Sequence, residues 1–321
     1  MIRLLLGIAI LCASFAIGGQ TWPAKPVRTL ITFPPGGPSE ILTRLVNERL
    51  QAALGQPFVV ENRAGAGGNI GADVVAKAAP DGYLFGITTD TLFTVNPLVY
   101  RRMPFDPWDD IRPVTLLGSF SQMMVCNAGV PAKSLPELLA LAKREKLSYA
   151  SGGPGVPGHL AAELLLSMTG ASMLHVPYKG PAAATADVMG GQVNCGFLAT
   201  PTVLPHVKSG KLTGLAVSTV KRSPLAPEVP AAAEAGAPGF DAPFYLVLFA
   251  RKGVPADIVA SMNREVSKAL ATPELKARAA KLDVTTLGGP ADEATPGAES
   301  RCEQVGAGGA AHRPETRLIL R

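Results

Sequence analysis

One pattern of strands and helices occurs twice in this chain, over residues 27–88 and 147–199. Each copy has an apolar strand, a turn rich in Gly and Pro, a helix, a second strand, a second helix and a third strand. This βαβαβ order predicts an α/β fold with two lobes, each a sheet flanked by helices. Apolar stretches near residues 114–127 and 244–250 are expected to be strands that cross between the lobes and act as hinges.

In both copies, the turn after the first strand leads directly into a helix. The first amides of a helix lack internal partners and carry partial positive charge, so they attract anions. Two such turns facing each other predict a site for a small acidic ligand between the lobes. The residues expected to bind it are Gly36, Gly37, Pro38, Ser39 and Thr89 in the first lobe, and Ser151, Gly155, Val156, Gly158 and His159 in the second.

The N-terminus has the layout of a secretory signal peptide. Arg3 supplies a positive charge, Leu4 to about Ile17 is apolar, and small residues follow. The apolar run is shorter than the ~20 residues that span a bilayer, so a membrane anchor is the less favoured alternative. We expect residues 1–21 to be removed and the mature chain to begin near Trp22.

Composition excludes several classes of function. Charged residues make up 17% of the chain, and the net charge of +5 is spread without a dense basic run, so nucleic-acid binding has little support. The sequence has no zinc-type Cys or His spacing, and we expect neither a metal nor a cofactor. Cys126 and Cys195 would be able to pair in an oxidising compartment, but two buried thiols are the interpretation that we favour.

Six motifs, in order, resemble those of the Bug family, the extracytoplasmic solute receptors of tripartite tricarboxylate transporters. The similarity extends from about Trp22 to Leu287. The motifs are Pro34-Pro35-Gly36-Gly37, the stretch from Glu61 to Gly71, Pro80-Asp81-Gly82-Tyr83, Tyr149-Ala150-Ser151 with Gly158-His159, His175 to Gly180, and Gly190-Gly191-Gln192-Val193.

The resemblance implies a two-lobed periplasmic binding protein without catalytic activity. Such a receptor captures a small carboxylate between its lobes and delivers it to the membrane components of the transporter. The corresponding division is lobe 1 over residues 22–122 with 248–287, lobe 2 over 123–247, and an atypical tail over 288–321.

The chain departs from the family pattern in several places, and two of them bear on the site and the fold. Pro154, Val156 and Pro157 replace residues that are commonly polar, so the second-lobe half of the site should be less polar, with Phe244 as a further apolar wall. The tail lacks the expected terminal helix, and back-translating residues 299–309 with GC-rich codons and moving one base can give a sequence that resembles this helix. We therefore hypothesise a frameshift near residues 290–300.

A secreted α/β hydrolase is the alternative function. Ser151 and His159 would be its nucleophile and base, but eight residues across a Pro- and Gly-rich turn give no assurance of contact. The chain also lacks the G-x-S-x-G elbow of such enzymes.

Overall fold

The computed structural model describes residues 22–289. The expected signal peptide and the proposed frameshift both lie outside these residues. Within them, no helix is long and apolar enough to cross a membrane.

The first repeat forms three parallel strands with two helices between them. Its elements are β1 (Val27–Ile31), α1 (Pro38–Leu54), β2 (Phe58–Asn62), α2 (Asn69–Ala76) and β3 (Leu84–Thr89). β1 pairs in parallel with both β2 and β3. Two short helices, α3 (Thr91–Thr94) and α4 (Asn96–Val99), lead to β4 (Ile111–Phe120).

The second repeat follows one crossing strand and one helix. The order is β5 (Gln122–Asn127), α5 (Leu135–Ala142), β6 (Leu147–Ser151), α6 (Pro157–Thr169), β7 (Met173–Pro177), α7 (Pro181–Met189) and β8 (Cys195–Ala199). Helix α8 (Thr200–Lys208) and strand β9 (Leu212–Val217) complete this lobe. Ser134 caps α5 by accepting a hydrogen bond from the Glu137 amide.

The chain then returns to the first lobe. It forms β10 (Phe244–Arg251), α9 (Ala256–Ala271), α10 (Pro273–Ala280) and β11 (Val284–Thr286). The sheet order is β11-β4-β10-β3-β1-β2 in the first lobe and β7-β6-β8-β5-β9 in the second. The predicted α/β class with two sheets is therefore confirmed.

The chain crosses between the sheets at Ser121 and again before Phe244. β10 pairs along its length with β3 and β4, so all of it belongs to the first sheet. The boundary expected between residues 247 and 248 falls inside this strand. A buried strand has the same hydrophobic pattern whichever lobe it belongs to. The pattern of β10 therefore could not show where the chain crosses.

The apolar faces of the helices cover the sheets. On one side of the first sheet, α1 and α9 bury side chains such as Leu42, Leu45, Met262 and Val266. Burial of a Leu or Val side chain stabilises a fold by about 1.5–3 kcal/mol, so these faces fix the position of α1 on its sheet. The direction in which the N-terminus of α1 points follows from this packing.

Cys126 and Cys195 form a disulfide, and the expectation of two separate thiols is wrong. The two residues lie opposite each other on the antiparallel strands β5 and β8, and both are fully buried. The sequence could not show this register, because 69 positions separate the two cysteines.

Candidate functional site

A cleft lies where the two sheets face each other. It encloses about 670 Å³, part of which is open to solvent. Its lining residues are Phe33, Pro34, Gly37, Pro38, Ser39, Thr89, Phe120 and Leu246 from the first lobe, and Gln122, Gly152, Val156, Pro157, Gly158, Gly180, Pro181, Phe197, Leu198 and Ala199 from the second. None of these residues carries a charged side chain.

The N-terminus of α1 forms the first-lobe side of the cleft. Gly37 precedes the helix in an extended conformation (φ −84°, ψ 169°), and Pro38 starts the helix without losing a hydrogen bond. Within the described residues, neither the amide nor the hydroxyl of Ser39 makes a hydrogen bond. Both groups are therefore available to an acceptor in the cleft.

The Gly36 amide is used within the turn itself. Gly36 N donates to Glu40 Oε2 at 2.8 Å, and Arg44 Nη2 donates to Glu40 Oε1 at 2.6 Å. The pKa of Glu40 is lowered mainly by the hydrogen bond from Gly36 and then by the hydrogen bond from Arg44. Glu40 thus holds the turn as a carboxylate whose charge is offset by Arg44, and Gly36 (φ 86°) supplies the positive φ that the turn requires.

Three helices begin at the second-lobe side of the cleft. Pro157 and Pro181 start α6 and α7, and Ala199 immediately precedes α8. None of these helices has a side-chain cap at its N-terminus. In α6, the Gly158 amide makes no hydrogen bond within residues 22–289, so it is a free donor at the cleft.

Ser151 is paired with His175 rather than with His159. Ser151 Oγ lies 2.7 Å from His175 Nε2 and 3.0 Å from Gly153 O, and it accepts from Gly153 N at 3.2 Å. These contacts are all satisfied when His175 donates to Ser151 and the Ser151 hydroxyl donates to Gly153 O. Ser151 is fully buried, so it braces the turn and does not face the cleft.

His159 belongs to a partly buried stack of rings. Its ring lies 4.1 Å from that of His175, which in turn lies 4.9 Å from Tyr149. His159 Nδ1 accepts from Gly155 N at 3.1 Å. Burial lowers the pKa of both histidines, and for His175 burial and the adjacent His159 lower it to about 3. Both rings are therefore neutral near pH 7.

Six of the ten residues expected to bind the ligand line the cleft: Gly37, Pro38, Ser39, Thr89, Val156 and Gly158. The other four, Gly36, Ser151, Gly155 and His159, instead shape the two turns. The Thr89 hydroxyl shares a 2.7 Å hydrogen bond with the Thr91 hydroxyl.

The apolar wall of the cleft includes Val156 and Pro157, as expected, but not Phe244. Phe120 and Phe197 line it, whereas Phe244 is buried behind Phe120, with ring centroids 6.2 Å apart. Gln122 also lines the cleft and was missed, because it lies at the crossing, far in sequence from both turns. Among the described residues, no group of three or more His, Cys, Asp or Glu side chains could hold a metal ion.

One carboxylate links the first crossing to the chain that follows β9. Ser121, at the first crossing, and Ser223, after β9, donate to the two oxygens of Asp283. The Ser121 hydroxyl also lies 2.7 Å from that of Thr200, the first residue of α8. The hinge is thus linked to a helix that begins at the cleft.

The lobes also touch at the rim of the cleft. Tyr100 Oη, from the first lobe, donates to Pro154 O, in the second-lobe turn, at 3.3 Å. A Cβ atom added to Gly180 would lie only 3.1 Å from Pro34 Cγ, which shows that these two turns are also close. The structure is therefore a closed arrangement of the two lobes.

Comparisons with known proteins agree with this architecture. Residues 42–298 match the family described as "Tripartite tricarboxylate transporter family receptor". The protein BugT of Bordetella pertussis is 37% identical over 277 residues, which cover 84% of this chain and 85% of BugT.

Two solved structures are similar over nearly their whole length. R. palustris Rpa4515 with adipate has a TM-score of 0.86 and 33% identity, covering 90% of this chain and 97% of Rpa4515. The periplasmic binding protein BugD has a TM-score of 0.82 and 29% identity, covering 90% of this chain and 99% of BugD. The chain belongs to the tripartite tricarboxylate transporter receptor family, and it is a solute-binding receptor rather than an enzyme.

Proposed function

We propose that this receptor binds a small carboxylate in the periplasm and delivers it to the membrane components of a tripartite transporter. The observation that carries the proposal is the pair of unbonded donors on Ser39, its amide and its hydroxyl, at the N-terminus of α1. Family membership and the adipate complex of Rpa4515 support it.

The carboxylate would lie against the α1 turn. The Ser39 amide and hydroxyl would donate to its oxygens, and the helix dipole would favour its charge. A hydrogen bond to a charged group stabilises a complex by about 1.5–3 kcal/mol. Because no Arg or Lys lines the cleft, binding would rest on amides and hydroxyls and would remain reversible.

The cleft walls indicate what the rest of the ligand is like. Phe33, Phe120, Phe197 and Leu246 present apolar surface, and Pro157 removes one backbone donor from the second-lobe turn. We infer a preference for a mono- or dicarboxylate with an apolar or aromatic body over citrate, because three carboxylates would leave charge against these walls.

Calorimetric titration of residues 22–321 tests the proposal with citrate, adipate and 3-phenylpropionate. We expect binding of adipate or 3-phenylpropionate to be tightest. Citrate binding tightest would contradict the ligand preference but leave the receptor function in place.

Gly37→Val tests the location of the carboxylate. A Cβ at Gly37 meets nothing nearer than Ser39 Oγ at 3.9 Å, and the backbone there is extended, so the fold should accept the substitution. The added side chain would block the turn and weaken binding at least tenfold. Ala52→Val, on the exposed face of α1, is the matched control. Unchanged affinity in a folded Gly37→Val variant would show that the ligand does not use this turn.

A further inference from the structure

Gln122 is a buried polar side chain whose amide has no partner in the described part of the chain. It is only 4% exposed, and it lines the cleft. Both of its backbone groups are hydrogen-bonded. Gln122 N donates to Ser218 Oγ at 2.9 Å, and Gln122 O accepts from Ser218 N at 2.8 Å. The side-chain amide makes no hydrogen bond within residues 22–289.

An amide without a protein partner is uncommon in so buried a residue, because most buried polar groups are hydrogen-bonded. The polar atoms of Gln122 are not among the fully enclosed unbonded atoms of the described residues, so they are accessible from the cleft. The backbone hydrogen bonds of Gln122 and its pairing opposite Ala199 fix the residue at the cleft edge of the second sheet. The side chain is therefore positioned for a group that enters the cleft.

The second-lobe turn offers a further donor beside it. Gln122 Oε1 lies 3.3 Å from the point that a Gly158 Cβ would occupy, so the amide lies against the first turn of α6. The Gly158 N–H is unbonded within the described residues. The NH₂ group of Gln122 and the Gly158 N–H can both donate to an oxygen atom of a ligand. The carboxamide oxygen of Gln122 can also accept from a ligand hydroxyl.

We propose that Gln122 and the Gly158 amide form a second polar subsite, which selects ligands carrying an oxygen-bearing group opposite the carboxylate. This inference rests on the proposed function, which places that carboxylate at Ser39. The apolar residues Phe120 and Phe197 lie in the same cleft and would contact the carbon chain between the two ends. The ligand class is a carboxylate with an apolar middle and a terminal hydroxyl or second carboxylate.

Three six-carbon probes differ only at the far end: hexanoate ends in a methyl group, 6-hydroxyhexanoate in a hydroxyl and adipate in a carboxylate. We expect the unmodified protein to bind adipate or 6-hydroxyhexanoate at least tenfold more tightly than hexanoate. Gln122→Met, which keeps the size of the side chain, should remove most of this preference and leave hexanoate affinity within about twofold. Gln51→Met, on the exposed part of α1, should change none of the three.

Gln122→Glu separates the two kinds of terminal group. The added negative charge should weaken adipate binding at least tenfold, while the affinity for 6-hydroxyhexanoate falls less, because a hydroxyl can donate to the new carboxylate. Thermal denaturation of each variant checks that the fold is retained.

Two results would overturn the subsite and leave the carboxylate receptor standing: equal affinity for all three probes, or an equal loss for all three in Gln122→Met. The proposed function would be overturned as well if none of the three probes bound and the further carboxylates also failed to bind. These further carboxylates are butanoate, 4-hydroxybutanoate, succinate and 3-phenylpropionate.

Discussion

The shape of the second-lobe turn depends on the protonation state of His175, in the neighbouring strand β7. His175 donates to Ser151, whose hydroxyl holds the backbone at Gly153. The low pKa of His175, about 3, means that the ring stays neutral in the folded protein well below the ordinary value of 6.5. Ser151 therefore keeps its donor, and the turn keeps its shape, across the neutral and mildly acidic range.

This depressed pKa predicts that the folded protein loses stability as the pH falls from about 6.5 towards 3. In that range the unfolded chain takes up a proton at His175 and the folded chain does not, so protonation favours unfolding. His159 acts in the same direction, because burial lowers its pKa too. Thermal denaturation between pH 7 and about pH 4 should show the melting temperature of the unmodified protein falling.

His175→Gln tests this prediction, since glutamine can still donate to Ser151 but does not titrate. The variant should lose less stability than the unmodified protein over the same pH range. His206→Gln, at the end of α8, is the control and should leave the pH dependence nearly unchanged. An identical fall in the unmodified protein and in His175→Gln would show that His175 is not responsible.

Residue types alone indicated which turns face the cleft but not which atoms do. The pattern Gly37-Pro38-Ser39 has a local cause, because Pro begins a helix and the next amide is unbonded. Ser151 and His159 had equally suitable side chains for binding a ligand. The hydrogen bond between Ser151 and His175 follows from the pairing of β6 with β7, which the sequence did not show. The orientation of a side chain at a strand end depends on such neighbours.

At the scale of elements, both repeats were predictable because each follows a local hydrophobic period. The pairing of more distant strands was not. Gln122 reaches the cleft because β5 pairs with β8, and Cys126 meets Cys195 through the same register. Sequence periodicity places residues on a strand face, whereas the partner strand and its register follow from how the whole sheet packs.

The contact between α6 and β8 predicts that replacing Gly158 destabilises the fold. A Cβ atom on Gly158 would lie 1.9 Å from Phe197 O, a backbone atom held in the second sheet. Gly158→Ala must therefore shift α6 away from β8, which should cost about 1–3 kcal/mol of folding free energy. Chemical denaturation would measure this loss.

Gly190→Ala is the matched control for this substitution. Gly190 has φ −75°, and an added Cβ would lie no nearer than 3.4 Å to Ala186 O, so alanine fits without strain. The control should be neutral or slightly stabilising, because alanine reduces the freedom of the unfolded chain. Equal stability of the two variants would contradict the tight packing at Gly158.

At the scale of the whole molecule, the closed arrangement depends on contacts between residues that are far apart in sequence. Asp283 binds the hydroxyls of Ser121 and Ser223, so one carboxylate links the first crossing to the chain that follows β9. Opposite the hinge, the rim contact of Tyr100 with Pro154 closes the cleft. The local patterns predicted two lobes and crossing strands, but these contacts arise only from the assembled chain.

The two lobes should move towards each other when a ligand binds. Lobes joined by two crossings should move about them, and a ligand that contacts both lobes should favour the closed state. Small-angle scattering should therefore give a smaller radius of gyration with a saturating carboxylate, the tightest of the calorimetric set, than without it. An unchanged profile at saturation would contradict movement of the lobes on binding.

Tyr100→Phe tests the rim contact, because it removes only the hydroxyl that donates to Pro154 O. One hydrogen bond contributes about 0.5–1.5 kcal/mol, so ligand affinity should fall by roughly two- to tenfold. The stability of each lobe should hardly change, since the bond forms between lobes. Tyr178→Phe is the control: its hydroxyl donates to Asp187 within the second lobe, so its loss should lower stability without opening the cleft. Equal ligand affinity in Tyr100→Phe and the unmodified protein would show that the rim contact does not contribute to closure.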